Sequence, residues 1–309
     1  MYTEAQLQQY FRHISFDPDK HGAGSLDYLA ALQRAHLARV PFESVSLHYS
    51  KTRLLSLDLD DLFDKIVGNS RGGYCMEVNA FFGAVLRSLG FTVLSAGARV
   101  RGRDRFGGWD HMVNLVSVSD ARHLVDVGYG AQDATRPVPL EDGVVFDNVP
   151  PRRGRLEYRA LAQHSDPAQR AWVYSSQDGA DEPWKEMYAF TETEFFPEDY
   201  EVMNLRTMTS PTSFFVQHVI AMRTEVDEDG ANTVAIITMF RDYVKRRASP
   251  DHRRTGGSAQ QPGHVVEELA RLETEEDRAK ALEKYFFITL APSERRAIKG
   301  LSSEMKESS

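Results

Sequence analysis

The sequence has one cysteine, no long apolar run and no excess of positive charge, and each of these features excludes a class of protein. One cysteine among 309 residues forms no internal disulfide and no cysteine-rich zinc or iron–sulfur site. The best apolar stretches, residues 80–86 and 233–240, are far shorter than the roughly 20 residues that span a bilayer. A formal net charge of −8 at pH 7 argues against a general affinity for nucleic acid, which depends on clustered lysine and arginine.

Several functional signals are missing as well. The N-terminal residues contain no basic segment followed by an apolar segment, which is the pattern of a secretory signal. The sequence contains no HExxH, CxxC, P-loop or GxGxxG motif, so it indicates no metal site and no nucleotide-binding loop. Because 41% of the residues are hydrophobic and 27% are charged, we expect a folded cytoplasmic protein without a membrane or nucleic-acid partner.

The pattern of hydrophobic and polar residues changes twice along the chain, which predicts an α+β protein in three parts. Residues 1–90 favour helices, because apolar residues recur three and four positions apart behind the candidate N-caps Ser25 and Asp58. Residues 91–200 hold short β-branched and aromatic runs between glycine, proline and aspartate, as antiparallel strands do. Residues 201–309 mix both patterns.

The last part contains two predicted strands, one helix and one loop. The strands are expected at 213–226 and 232–240, and the helix at 275–285, where a capping box begins with Thr274. Residues 245–263 are basic and rich in glycine and proline. Because no aromatic residues are interleaved for base stacking, this segment is expected to be a mobile surface loop rather than a nucleic-acid or phosphate patch.

Cys75 is the candidate nucleophile. It stands in NSRGGYCMEVNAFF, behind a glycine-rich turn, four residues after Arg71 and in the first turn of a predicted helix. The positive charge and the helix dipole each favour a thiolate over a thiol. The alternative is a buried cysteine that only fills space in the core, as many free cysteines do. A catalytic role therefore needs a partner.

His111 and Asp126 are the partners that the β-rich part offers. His111 begins an apolar strand directly after a Gly-Gly-Trp-Asp turn, whereas its competitor His123 lies near a turn. Asp126 is a carboxylate within an otherwise apolar strand, where it costs free energy unless it is paired.

The register of one hairpin decides how close His111 and Asp126 come. A turn at residues 119–120 places Asp126 opposite Val113 and diagonal to His111. A turn one residue later places Asp126 opposite Leu115, on the same face but farther away, and the sequence leaves both registers open. In either case the chain offers a thiol, an imidazole and a carboxylate for the roles of nucleophile, proton acceptor and orienting anion. The alternative to a catalytic triad is that these three residues have separate structural roles.

Several segments of the chain closely resemble the arylamine N-acetyltransferases. The match is carried by VPFESVSLHY, RGGYCMEVN, HMVNLV and VDVGYG, and more loosely by MTSPTSFF and YFFITL. The resemblance implies an N-terminal helical bundle at 1–90 that carries the nucleophile and a central antiparallel β-barrel at 91–200 that carries the histidine and the aspartate. It implies a C-terminal α/β lid at 201–309 and a core like that of cysteine proteinases and transglutaminases.

The family's Cys-His-Asp triad falls on Cys75, His111 and Asp126, which implies a ping-pong acyltransferase. Cys75 takes an acyl group from acyl-CoA, and an aromatic amine or hydrazine then removes it. The resemblance implies no metal and no permanently bound cofactor, because acyl-CoA is a co-substrate. Acetyl-CoA is the expected donor, with malonyl-CoA and propionyl-CoA as alternatives.

The resemblance assigns roles to four further residues. Glu43 would lie against Arg71 and support the loop that carries the nucleophile. Tyr129 would line the acceptor pocket, and Gly108 matches a glycine near which the pantetheine arm of CoA passes.

One segment resembles the eukaryotic members of the family, so we expect a eukaryotic member, with a fungal-type member as one option. Residues 163–186 are similar to the longer interdomain connection of eukaryotic members. Some fungal relatives favour malonyl-CoA, whose second carboxylate needs a cation, and Arg103 or Arg105 is the candidate for that cation. The sequence does not indicate an oligomeric state.

Two other functions use the same residues. A cysteine hydrolase or transglutaminase has Cys, His and Asp in this order but differs in its donor, since a transglutaminase releases ammonia from glutamine. A non-catalytic module would keep the fold and bind CoA or an aromatic metabolite, but every triad position is filled here.

Overall fold

The computed structural model describes residues 1–252 and 264–305. The N-terminal part is helical apart from one short strand. Its elements are α1 (Glu4–His13), α2 (Leu26–Arg39), β1 (Phe42–Glu43), α3 (Ser46–Tyr49), α4 (Leu59–Phe63) and α5 (Cys75–Ser88).

The N-terminal helices begin at the predicted caps. Ser25 Oγ accepts the backbone N–H of Tyr28 at 3.1 Å, and Asp58 Oδ1 accepts two N–H groups of the first turn of α4 at 2.9 and 3.2 Å. These bonds satisfy N–H groups that a helix start leaves without partners. Helix α5 contributes Phe81 and Phe82 to the core between the helices, where neither ring is exposed.

The central part is an antiparallel sheet that curls into a nearly closed barrel. Its strands are β2 (Thr92–Val100), β3 (His111–Val118), β4 (Ala121–Val125), β5 (Val138–Pro139), β6 (Val144–Asp147), β7 (Arg153–Arg159), β8 (Ala171–Gln177) and β9 (Lys185–Glu194). Within the described residues these eight strands have the order β5-β4-β3-β2-β9-β8-β7-β6. The two end strands approach each other inside the barrel, because Val138 of β5 and Phe146 of β6 belong to one apolar core.

The C-terminal part combines helices with a second antiparallel sheet. Its elements are α6 (Pro197–Thr209), α7 (Phe214–Gln217), β10 (Ile220–Val226), β11 (Thr233–Phe240), β12 (Tyr243–Ala248), β13 (Val265–Arg271), α8 (Glu275–Phe286) and α9 (Pro292–Ala297). In the described part of the chain, the sheet has the order β1-β10-β11-β12-β13, so its first strand comes from the N-terminal part. Leu282 and Phe286 of α8 pack with Ala221 and Ile237 of this sheet.

The predicted helix at 275–285 is confirmed as α8. Thr274 Oγ1 accepts the N–H of Asp277 at 3.1 Å, and the Asp277 carboxylate accepts the Thr274 N–H at 3.0 Å, so the capping box is present. No helix among the described residues combines the length and the apolar character that crossing a membrane requires.

Two predictions for the C-terminal part are wrong in their first residues. The strand predicted at 213–226 begins only at Ile220, because Phe214–Gln217 form a helical turn whose aromatic rings pack on neighbouring elements. The loop predicted at 245–263 begins inside β12, where Arg246 is buried between Glu225 at 2.6 Å and Glu267 at 3.2 Å. Acidic residues on two other strands of the sheet, β10 and β13, thus neutralise Arg246. Residues 253–263 lie outside the described residues.

Candidate active site

A tight turn fixes Cys75 at the first position of α5. A Cβ on Gly72 would lie 1.7 Å from the carbonyl oxygen of Pro41, so only glycine fits there. Gly73 N–H donates to Pro41 O at 3.3 Å, and Glu43 N–H donates to Gly73 O at 2.9 Å. The segment before the nucleophile is therefore held against β1.

Glu43 and Arg71 border the same turn. The Glu43 carboxylate is buried, accepts the Gly72 N–H at 3.2 Å and lies 3.8 Å from Arg71 Nε. Arg71 Nη1 also donates to Glu294 of α9 at 2.9 Å. The pair is placed where it can support the turn, and its supporting role stays a prediction.

The hairpin adopts the first of the two registers left open by the sequence. Residues 119–120 have φ values of 48° and 65°, as the central residues of a type I′ turn do. Asn114 pairs with Val125, so the next residue, Asp126, falls opposite Val113. This register brings His111 and Asp126 into direct contact.

Asp126 is fully buried and bonded on both oxygens. Its Oδ2 lies 2.7 Å from His111 Nε2, and its Oδ1 accepts the Asn79 amide and the Gly128 N–H, each at 2.8 Å. Burial raises the pKa of Asp126, but the His111 charge and these hydrogen bonds outweigh burial and hold the pKa below its ordinary value of 3.8. The carboxylate is therefore ionised at neutral pH.

His111 lies between the carboxylate and the thiol. Burial lowers the pKa of His111, but the charge and hydrogen bond of Asp126 and a hydrogen bond with Cys75 raise it to well above 6.5. Because Nε2 contacts Asp126, Nδ1 is the ring nitrogen that can serve the thiol. Cys75 Sγ also lies 3.7 Å from the carbonyl oxygen of Asp110.

A cavity of about 410 Å³ opens beside these groups. Cys75 and His111 line it together with Asp110 and one arginine, Arg206. The other side chains on its wall include aromatic rings and hydroxyl groups, namely Phe42, Tyr129, Thr207, Ser210, Thr212, Ser213, Phe214 and Phe215. The buried sulfur of Cys75 therefore faces a space that a ligand can occupy.

The remaining predicted residues divide into those at the cavity and those away from it. Tyr129 lines the cavity, with its ring centroid 5.3 Å from that of His111, and its hydroxyl donates to Met187 O at 2.9 Å. Gly108 is exposed on the connection between β2 and β3 and does not line the cavity, so its contact with CoA stays a prediction. His123, the competitor of His111, is buried on β4 and is also absent from the cavity wall.

The cation at the cavity differs from the one expected. Arg103 and Arg105 are exposed in a loop whose ends, Arg101 and Phe106, pair with each other, and neither arginine lines the cavity. Among the lysines and arginines that the structure describes, Arg206 of α6 is the one on the cavity wall.

Two residues of the site were missed by sequence reasoning. Asn79 donates to Asp126 and to Met112 O, both at 2.8 Å, and its Oδ1 accepts the Val127 N–H at 3.1 Å. Its position one helical turn after Cys75 was a usable signal, because residues four apart share a helix face. Arg206 lies in a helix that the sequence analysis did not predict, and no local signal connects it with Cys75.

The described part of the chain offers no candidate metal centre. Within residues 1–252 and 264–305, no group of three or more histidine, cysteine, aspartate or glutamate side chains is arranged to hold a metal ion.

Comparisons with known proteins identify the family of this chain. The profile of the N-acetyltransferase family matches residues 25–294. The chain is 35% identical over 334 residues to the N-malonyltransferase FDB2 of Fusarium pseudograminearum (strain CS3096), covering 96% of this chain and 92% of the relative. It is 32% identical over 219 residues to the arylamine N-acetyltransferase of Escherichia coli (strain K12), covering 70% of this chain and 72% of the relative.

Solved structures show the same architecture. The arylamine N-acetyltransferase of Salmonella typhimurium superimposes with a TM-score of 0.77 at 24% identity, covering 96% of this chain and 98% of that one. The Mycobacterium marinum enzyme in complex with CoA gives a TM-score of 0.74 at 26% identity, covering 95% and 97%. These matches confirm the predicted α+β fold class. The chain belongs to the arylamine N-acetyltransferase family, whose enzymes are acyltransferases that use acyl-CoA as co-substrate.

Proposed function

We propose that this acyltransferase moves an acyl group from acyl-CoA to an aromatic amine or hydrazine through an acyl-Cys75 thioester. One observation carries the proposal: Cys75 and His111 line one cavity, and His111 Nε2 lies 2.7 Å from the ionised Asp126. This arrangement supplies a nucleophile, a proton acceptor and an orienting anion at a site that a substrate can enter.

In the first half-reaction, the Cys75 sulfur bonds to the thioester carbonyl carbon, and the bond between that carbon and the CoA sulfur breaks. His111 holds the proton that the thiol gives up and returns it to the CoA sulfur, so CoA leaves as a thiol. Asp126 stays ionised and orients the ring through Nε2. Because one thioester replaces another, the step needs no further co-reactant.

In the second half-reaction, the amine nitrogen attacks the acyl carbon, and the bond from that carbon to the Cys75 sulfur breaks. His111 receives a proton from the amine and passes it to the sulfur, which restores the thiol and leaves a neutral amide. The cavity wall supports an aromatic acceptor, because Phe42, Tyr129 and Phe215 offer faces against which a flat ring can pack.

We propose malonyl-CoA as the donor in place of the acetyl-CoA that the sequence analysis favours. The N-malonyltransferase FDB2 relative aligns with 96% of this chain, whereas the Escherichia coli acetyltransferase aligns with 70%. Family membership supports the transferase over a cysteine hydrolase or transglutaminase with the same three side chains.

Initial rates over a grid of malonyl-CoA and aniline concentrations test the mechanism. We expect parallel double-reciprocal lines, because free CoA leaves before the amine reacts. His111→Gln should lower the rate at least about 100-fold through loss of the proton acceptor. His123→Gln is the matched control, since His123 is a buried histidine away from the cavity. Intersecting lines, or equal rates for the two variants, would overturn the mechanism.

A further inference from the structure

We propose that Arg206 selects the donor by binding the free carboxylate of a malonyl-type acyl group on CoA. The inference rests on the proposed function, since it concerns the acyl group that Cys75 receives. It assigns a specificity-determining role to a residue on the wall of the same cavity.

The backbone of Arg206 is fixed, while its guanidinium forms no ion pair with any residue that the structure describes. Helix α6 is anchored beside the nucleophile, because Tyr200 and Met203 are buried in the same apolar core as Cys75, and the Asn204 amide donates to Leu55 O at 2.8 Å. Arg206 itself is exposed. Among residues 1–252 and 264–305, no carboxylate lies within 4.0 Å of its guanidinium nitrogens.

A second carboxylate in the cavity meets the acidic side chain of Asp110 as well as Arg206. Asp110 lies on the cavity wall, where its Oδ1 accepts the Val100 N–H at 2.9 Å. Burial raises the pKa of Asp110, and the charge of Arg206 is among the effects that oppose burial. A malonyl carboxylate that leaves water for this wall loses solvation, and the Arg206 guanidinium is placed to compensate for that loss.

The chemistry of the side chain matches the group it would bind. A guanidinium presents its N–H donors in a fork that fits a carboxylate, and a charge-assisted hydrogen bond is about twice as strong as a neutral one. The hydroxyls of Ser210 and Thr212 lie 3.0 Å apart on the same wall, and the pair has one more hydrogen to donate than their mutual bond uses. An acetyl group has no carboxylate, so it gains nothing from Arg206 at this place.

The ratio of kcat/KM for malonyl-CoA to kcat/KM for acetyl-CoA measures this selection. We expect Arg206→Met to lower the ratio about 30-fold, which corresponds to the loss of one hydrogen bond to a charged group. Arg206→Lys should recover part of the ratio, since it keeps the charge but not the fork. Arg103→Met is the matched control, an exposed arginine that does not line the cavity, and should leave the ratio unchanged.

Acetoacetyl-CoA separates charge from size, because it replaces the malonyl carboxylate by a neutral ketone. Its kcat/KM relative to that of acetyl-CoA should not change in Arg206→Met. A proportional loss with all three donors would overturn the inference, because Arg206 would then contact the shared CoA part. An unchanged ratio in a protein that accepts malonyl-CoA would overturn it too. A wild-type protein that accepts acetyl-CoA but not malonyl-CoA would instead overturn the proposed donor.

Discussion

Single residues decide the charge state of the site. Asp126 can be buried as an anion because His111, Asn79 and the Gly128 N–H all bond to it. The sequence was sufficient to choose Cys75, His111 and Asp126 as candidates, since each is a chemically unusual residue in its local pattern. For Asn79 the spacing of four residues from Cys75 gave the helix face, but the sequence does not show that Asp126 lies opposite that face.

Asp126→Asn should lower the pKa of His111 from its raised value. Burial lowers this pKa, and the variant lacks the carboxylate charge that raises it. In the wild type, protonated His111 stabilises the fold fully below pH 6.5, and this contribution is lost as the pH rises through the raised pKa. Ionised Asp126 stabilises the fold above pH 3.8, and this contribution is lost as the pH falls through its lowered pKa. The difference in the free energy of unfolding between wild type and variant should therefore be largest between pH 3.8 and pH 6.5, where both contributions are present.

Two measurements check this expectation. Imidazole NMR gives the pKa of His111, and urea unfolding at several pH values gives the free energy of unfolding. The exposed Asp120→Asn is the control and should change neither quantity. An unchanged His111 pKa in Asp126→Asn would contradict the assigned cause.

At the scale of secondary-structure elements, the sequence predicted the starts of helices well, because hydrogen bonds within one turn determine them. Ser25, Asp58 and Thr274 cap helices through bonds within one turn, so their patterns were visible in the sequence. The strand at β12 was hidden, because Arg246 is neutralised by acids that lie on other strands. Helix α7 was hidden as well, since an aromatic pair such as Phe214-Phe215 fits a strand or a helical turn equally.

The end of β4 and the start of α5 meet at Gly128, which gives a prediction for their packing. A Cβ at this position would lie 2.7 Å from Cys75 Cα and 2.6 Å from Asn79 Nδ2. Gly128→Ala should therefore push the nucleophile away from His111, lower the free energy of unfolding by about 1–3 kcal/mol and slow Cys75 acylation about 100-fold.

Urea unfolding and the rate of CoA release test the Gly128 prediction. Gly68→Ala is the matched control, because a Cβ at Gly68 meets nothing within 4 Å. A Gly128→Ala protein with wild-type stability and rate would show that the two elements do not need this close approach.

At the scale of the whole molecule, the N-terminal and C-terminal parts are joined by a common sheet and by a side-chain hydrogen bond. Strand β1 pairs with β10, and the Tyr49 hydroxyl donates to Glu275 at 2.6 Å. The division of the chain into three parts, with boundaries near residues 90 and 200, stays a prediction. Long-range contacts of this kind, including the approach of Arg206 to the cavity, are set by the assembled fold. The residue pattern indicated three parts of different secondary structure, and only the family resemblance indicated a barrel and a lid.

The central claim is that the acyl group passes through Cys75, and mass spectrometry of the acyl-enzyme tests it most directly. After incubation with malonyl-CoA alone, we expect the peptide that contains Cys75 to gain the mass of one malonyl group, and addition of aniline should remove this mass and yield the amide. Cys75→Ser should not transfer the group to aniline. Product formation by Cys75→Ser at the wild-type rate, or a wild-type protein that turns over without ever acylating this peptide, would contradict the claim.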